Sequence, residues 1–243
     1  MNASPENQRI LLDVADLDRR IAQAERARTQ PAQAARITEL VAIRQEQLRE
    51  LTTLTGARDD VRTELARLEA DVKLVEQRRA RDAERLAAAT NSKEAQALEH
   101  ELASLAKRQS DLEDIELDVM GRVEDAEAAV AAQQALLDAT TAEGTSLTAQ
   151  AKADVAAATE LGAQLARDRE AVTATVPADL LADYTRRSAN NAGAALLTRG
   201  TCGGCHIVLP GTDLNEIRRA ADDAVVSCPE CGCILVRTEE SGL

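Results

Sequence analysis

Two Cys-x-x-Cys units, Cys202-Gly203-Gly204-Cys205 and Cys228-Pro229-Glu230-Cys231, hold the residues of this chain best suited to chemistry. Two intervening residues let both sulfurs of a unit reach one ion at about 2.3 Å, while the tight turn aims backbone N–H groups at the thiolates. Two facing pairs complete a tetrahedron and leave no position for water or substrate. The expected cofactor is therefore one structural Zn²⁺, held by Cys202, Cys205, Cys228 and Cys231. A redox or disulfide role for these cysteines fits poorly, because the alternating strand and helix pattern of a thioredoxin fold is missing. The tail has few large apolar residues, so zinc should supply most of its folding free energy, with about 10–16 kcal/mol available in small zinc modules.

Other candidates are weaker. Cys233 stands one residue past Gly232, where strand alternation is expected to direct it away from the metal; it reads as a bystander thiol, with an alternate ligand or a redox sensor as the other readings. His206 follows Cys205 and could replace a sulfur, but four better-spaced cysteines already suffice. His100 reads as a surface residue of a long helix. A Gly-rich phosphate loop and a nucleophile with a placed His are both missing, and the many carboxylates fall on helix faces where solvation accounts for them. The expectation is a protein that is not an enzyme and has no small-molecule substrate.

The elements that must position the cysteines divide into residues 1–176, an antiparallel coiled-coil hairpin, and residues 177–243, a zinc ribbon with short strands. The fold class is thus mainly α. Ser4 and Pro5 make a favourable helix start, and Ile10, Val14, Leu17, Ile21 and Ala24 alternate steps of four and three, the spacing of a coiled-coil seam. Pro31 predicts a kink near 29–31. The seam resumes at Ile37, Leu40, Leu51, Leu54, Val61, Leu65, Leu68, Val72, Val75 and Leu86. It halts near 90–92, where Asn91 and Glu94 resemble a capping box and the chain is expected to reverse.

The returning register, from Leu98 through Leu105, Leu112 and Val119 to Leu161, Leu165 and Val172, makes facing positions total about 182. That sets Leu17 opposite Leu165 and Ile21 opposite Leu161, and brings Arg28 to Asp154 as an expected ion pair. After Pro177 the pattern predicts a short helix through Leu180 and Tyr184, a strand over 194–199, a short helix over 213–220 with Asp213 and Glu216 as a capping pair, and a strand over 234–237.

Composition supports the arm. The chain has no Phe, no Trp and one Tyr, so the aromatic side chains that usually fill a globular core are absent. Its 29% of charged residues, with abundant Leu, Ala, Glu and Arg, is what a long coiled coil shows. The net charge of −13 disfavours a general grip on phosphate backbones. No apolar run approaches the length of a membrane span, and the start lacks a basic and then hydrophobic leader, so a cytoplasmic protein without membrane contact is expected.

At full length the chain resembles the bacterial zinc-ribbon proteins with an N-terminal coiled-coil hairpin. The residues that carry this are Asn91-Ser92-Lys93-Glu94-Ala95-Gln96-Ala97-Leu98 at the turn, Leu180 to Tyr184, Cys202-Gly203-Gly204-Cys205, and Cys228-Pro229-Glu230-Cys231-Gly232-Cys233-Ile234-Leu235. Ala95 stands where that family usually has an aromatic residue, and Cys233 where it usually has Arg. The resemblance implies a cytoplasmic adaptor that binds proteins or nucleic acid; some family members are associated with the nitrogen-type alternative sigma factor and flagellar gene control.

Two readings of function follow. One is a noncatalytic, monomeric adaptor docking a protein partner in transcription or translation. The other is RNA or DNA binding through Arg186, Arg187, Arg199, Arg218, Arg219 and Arg237 of the tail, and Lys73, Arg78, Arg79, Arg81, Arg85 and Lys93 near the hairpin tip. Local basic clusters can act despite an acidic total because charges are screened over about 8 Å at physiological salt.

Overall fold

The computed structural model describes all residues from Met1 to Leu243. Three long helices dominate: α1 (Pro5–Thr29), α2 (Ala34–Ala88) and α3 (Ser92–Thr173). There follow α4 (Ala178–Ser188), β1 (Ala194–Thr198), β2 (Thr201–Cys202), α5 (Gly211–Arg219), β3 (Val226–Ser227), β4 (Ile234–Val236) and a 3₁₀ turn (Glu239–Ser241). The chain is thus a long helical hairpin followed by a region of short strands. No helix is long and apolar enough to cross a membrane.

Two compact units divide it, one of Ala35–Thr148 and one of Met1–Ala34 with Ala149–Leu243. This division differs from a boundary at residue 176, since the first helix and the last turns of the third go with the ribbon.

Within residues 35–148, α2 and α3 run antiparallel along a thin seam. Leu40, Leu98, Leu105, Leu112, Val119 and Leu137 are buried, whereas Leu51, Leu54, Val61, Leu65, Leu68, Val72 and Val75 are only half-buried. A two-helix layer encloses only part of its apolar stripe, so many seam residues keep part of their surface in water. Ion pairs flank the seam: Arg36 with Glu143 at 2.9 Å, Arg78 with Glu101 at 2.6 Å, and Arg122 with Glu64 at 3.1 Å. At the reversal the Asn91 side chain accepts from the Lys93 amide at 2.9 Å, as its capping role requires.

The other unit is built on a four-stranded sheet of order β2-β1-β4-β3, with β1 and β4 parallel and both outer pairs antiparallel. Alternation along the two central strands splits the core in two. Ala194, Ile234 and Val236 face Leu11, Val14, Val176, Leu180 and Tyr184 of the helices. Ala195, Leu197, Cys233 and Leu235 face Cys202, Cys228, Leu209 and Ile217. The sheet therefore joins helices on one side to the thiols on the other.

Ser4 caps α1 as expected, accepting from the Asn7 amide at 3.2 Å. The residues just before it were not expected to pair with the ribbon, yet they do. The Ala3 amide donates to the Asp223 carbonyl at 2.7 Å, the Val225 amide to the Met1 carbonyl at 3.1 Å, and Gln8 Nε2 to the Asp222 carbonyl at 3.3 Å. Asp18 of α1 then accepts from Tyr184 Oη at 2.7 Å and is ion-paired with Arg169 of α3, so one carboxylate ties three helices. The Tyr184 phenol is raised well above its ordinary range, by burial first and then by its bond to Asp18.

Three expectations need correction. Arg28 pairs with Glu25 on its own helix, and Asp154 accepts from Gln33 at 2.7 Å instead. Gln33–Asp154 and Asp18–Arg169 both total 187 and not 182, and long side chains pair across α2 and α3 at totals from 179 for Arg36–Glu143 to 189 for Arg62–Glu127, so the count places a partner only to within a few residues. Leu161, expected in the seam, is 46% exposed, and the adjacent Gly162 takes its place beside Ala24. Finally, α5 starts at Gly211 with Pro210 as its cap, so Asp213 and Glu216 do not form the capping pair.

Candidate metal centre

The two Cys-x-x-Cys turns are brought together by the central strands. Cys202 ends β2 and Cys205 closes the turn after it; Cys228 follows β3 and Cys231 precedes β4. Their four Sγ atoms lie within 4.8 Å of one another. Cys202 and Cys231 are 3.9 Å apart, as are Cys205 and Cys228. A tetrahedron with about 2.3 Å from metal to sulfur has edges of about 3.8 Å, so these contacts match the edges of a Zn²⁺ tetrathiolate. The donor set, four soft sulfurs, fits one structural zinc ion.

Backbone amides serve every sulfur. The Gly204 amide approaches Cys202 Sγ at 3.4 Å. Ile207 donates to Cys205, Glu230 and Cys231 to Cys228, and Cys233 to Cys231. In the metal-free protein the Ile207 amide pulls the Cys205 thiol down, but burial and the neighbouring thiols leave it raised. Burial pushes Cys228 up to about 12. Burial also acts upward on Cys231, yet the Cys233 amide and the sulfurs around it bring the net value down to about 7. Zinc resolves this conflict by holding all four as thiolates.

Two glycines are required by close approach and backbone hand. A Cβ on Gly203 would meet the Leu196 carbonyl oxygen at 2.9 Å, and Gly232 sits at φ +75°. His206 occupies the corresponding left-handed position of the first turn, at φ 61°, with its side chain exposed. His206 is outside the sulfur cluster, and His100 is exposed on α3.

The expectation for Cys233 is overturned. Its side chain is fully buried on the metal side of the sheet, with Sγ 3.4 Å from Cys231 and 3.6 Å from Cys202. Cys233 stands two residues before Leu235 on the run into β4, and both side chains fall on the sulfur side of the sheet.

The connector and the outer support of the site also involve residues read from sequence in another role. Arg237 donates to five carbonyls, those of Ile217, Ala220, Ala221, Asp222 and Ala224, at 2.6–3.2 Å. A cation at the C-terminus of α5 satisfies acceptors the helix leaves unpaired, and here it fixes the path back to Cys228. Arg187 bonds Asp183 at 2.9 Å and the Gly232 carbonyl at 2.6 Å, while Asn191 Nδ2 donates to the Cys231 carbonyl at 2.7 Å. Arg187 and Arg237 are thus structural, and Arg186 is ion-paired with Asp183. No signal of type or spacing marked Asn191.

Near the hairpin tip, Arg78 is paired with Glu101 and Asp82, Arg85 with Asp82, Arg79 with Gln109, and Arg81 with the Gln77 carbonyl. Lys73 and Lys93 are exposed. In the ribbon Arg199, Arg218 and Arg219 are exposed and have no carboxylate partner; Arg218 reaches only Asn215, at 3.5 Å.

Hairpin and four-sulfur ribbon together define a recognisable class, a coiled-coil arm carrying a structural zinc module. Residues 14–192 match the CT398-like coiled coil hairpin domain and residues 201–235 the C4-type zinc ribbon domain. The chain belongs to the family of CT398-like coiled-coil hairpin proteins with a C4-type zinc ribbon. It is 33% identical over 241 residues to an uncharacterized protein of Mycobacterium tuberculosis, covering 98% of each chain. A solved structure from Mycobacterium smegmatis is 32% identical, with a TM-score of 0.76 and coverage of 98% of this chain and 100% of the other. The structure of CT398 from Chlamydia trachomatis shares the fold at 19% identity and a TM-score of 0.56, covering 95% and 97%.

Proposed function

We propose that this protein is a noncatalytic adaptor that docks a protein partner in transcription or translation, with zinc shaping the docking surface. The observation that carries this is the closed donor set: four sulfurs fill the tetrahedron, so the ion organises β2, β4 and their turns without offering a position for substrate. Coiled-coil hairpins and four-cysteine ribbons are typically noncatalytic, which agrees. The acidic excess of the chain favours a partner with a basic face. Crosslinking in cells followed by mass spectrometry and RNA sequencing tests this. The expected outcome is a protein recovered with the zinc-loaded chain and lost with Cys228→Ser; recovery of nothing beyond what Cys228→Ser recovers rejects it.

A second reading is favoured by Arg199, Arg218 and Arg219, exposed and free of carboxylates on adjoining elements. Leu214 of α5 packs beside Gly200, next to Arg199. Such a cluster suits phosphate contact in RNA or DNA. Binding should then weaken as salt rises, and a triple Arg→Ala variant should bind less; salt-independent or absent binding rejects it.

A further inference from the structure

Cys233 has no part in the zinc tetrahedron, yet it is held against it. Its sulfur is 3.4 Å from Cys231 and 3.6 Å from Cys202, closer than the 3.9 Å edges between the ligands themselves. Small residues make the room: a Cβ on Gly204 would lie 3.2 Å from Cys233 Sγ and 3.3 Å from the Ala195 methyl. The ligands are not equally protected. Cys202 and Cys228 are buried, whereas Cys205 and Cys231 are part-exposed. Cys205 has only the ligand Cys228 as its nearest sulfur, at 3.9 Å, while Cys231 has the spare thiol. One part-exposed ligand therefore lies beside a fully buried thiol that the metal does not need. Only Gly232, already in the left-handed region, separates them.

From this geometry we infer that Cys231 and Cys233 form a peroxide-responsive pair, in which Cys233 resolves oxidation of the zinc ligand as a disulfide and so releases the metal reversibly. The co-reactant is hydrogen peroxide. The Cys231 thiolate attacks the O–O bond; an S–O bond forms, the O–O bond breaks, and hydroxide leaves with the electron pair. The Cys233 sulfur then attacks Cys231 sulfur as its proton passes to the departing oxygen; the S–S bond forms, the S–O bond breaks and water leaves. Two thiol sulfurs lose two electrons in total, and one peroxide is reduced to water and hydroxide. Zinc, left with three thiolates, passes to a competing chelator. A two-thiol reductant reverses the disulfide and restores the fourth ligand. Without a neighbour, a sulfenic acid at Cys231 would advance to the irreversible sulfinic acid. This inference rests on the metal centre and is independent of the partner proposed above.

The test uses the full, zinc-loaded chain treated with hydrogen peroxide, with a coloured zinc chelator following release and peptide mass mapping locating the oxidised cysteines. The wild-type protein should release one zinc per Cys231–Cys233 disulfide and take it back after dithiothreitol. Cys233→Ser, which keeps all four ligands, should bind zinc normally before oxidation. After peroxide its Cys231 should be labelled by a sulfenic-acid trap and then over-oxidised, and dithiothreitol should fail to restore zinc. A wild-type map that joins any other pair, or finds no disulfide when zinc leaves, overturns the inference without recourse to the variant. Equal recovery of zinc by wild type and Cys233→Ser overturns it too.

Discussion

Along residues 35–148 stability is spread thinly over many similar seam positions, whereas around the ribbon it is concentrated in a few groups with several partners each. In the hairpin a Leu or Val meets one facing helix and stays half-exposed, so the design is redundant. In the ribbon one ion holds two turns, one Arg holds five carbonyls, and one Asp holds a Tyr and an Arg. Redundancy tolerates loss of a part; concentration does not. Substitutions should therefore have large effects in the unit of residues 1–34 and 149–243 and small ones elsewhere.

The largest effect should come from the metal. Chelation, or Cys228→Ser, should unfold β1–β4 and α5, because about 10–16 kcal/mol of binding free energy is also folding free energy in such modules. Amide hydrogen exchange should show protection lost over 194–237 and retained over 35–148. Retained protection in the ribbon after zinc is removed would break the contrast. Acid acts in the same direction: zinc needs thiolates, so protons compete, and release should advance as pH falls. Zinc release followed by pH titration checks the sign, and release on raising pH through neutrality would contradict it.

Arg237→Met should come next. Keeping much of the side-chain volume while removing the charge leaves five carbonyls to find other donors. Hydrogen bonds to charged groups contribute about 1.5–3 kcal/mol each in isolation, and some of these carbonyls are wet, so a loss of about 2–4 kcal/mol is expected. Chemical denaturation of the zinc-loaded protein measures it. A loss within error would mean that zinc alone fixes the 206–227 connector.

The single tyrosine offers a reading free of background. Tyr184 is fully buried and donates to Asp18, and both effects hold its pKa above the usual value of about 10. The stability this contributes is complete below the unfolded value and is lost as pH rises through the folded one. The tyrosinate absorbance band should thus stay absent at the pH where a free tyrosine half-ionises, and emerge on unfolding. In Asp18→Asn it should emerge at lower pH, still above the ordinary value because burial remains. Ionisation of folded wild type at the ordinary pH would remove the three-helix tie.

Much of this was legible beforehand because it is local. Metal-ligand spacing, seam periodicity, the cap at Ser4 and the reversal at Asn91 each depend on residues a few positions apart. What escaped depends on the backbone or on distance. Ala3 and Met1 pair with the ribbon through amides and carbonyls, which any residue type supplies, so no sequence signal marks them. Arg187 and Arg237 read as nucleic-acid contacts until the helix ends and knuckle carbonyls they serve were in place. The Arg28–Asp154 pair failed because counting across a hairpin places long side chains only to within a few positions, and Arg28 has Glu25 one turn away on its own helix. Cys233 was misplaced because the left-handed Gly232 sets how the knuckle enters β4, and that backbone conformation fixes which face the thiol takes.

The smallest effects should lie on the hairpin, and their order tests what holds it. Leu105→Ala removes a buried seam residue, but the thin layer can collapse around it, so a loss near the low end of core substitutions, about 2 kcal/mol, is expected. Arg62→Ala removes an ion pair with Glu127 whose partners are both about half-exposed. Solvent already screens that pair and its two long side chains resist ordering, so the change should fall within about 0.5 kcal/mol. Thermal and denaturant unfolding of both variants, with zinc bound throughout, gives the comparison. If Arg62→Ala costs as much as Leu105→Ala, the arm is held by its charged flanks and the apolar seam only sets register.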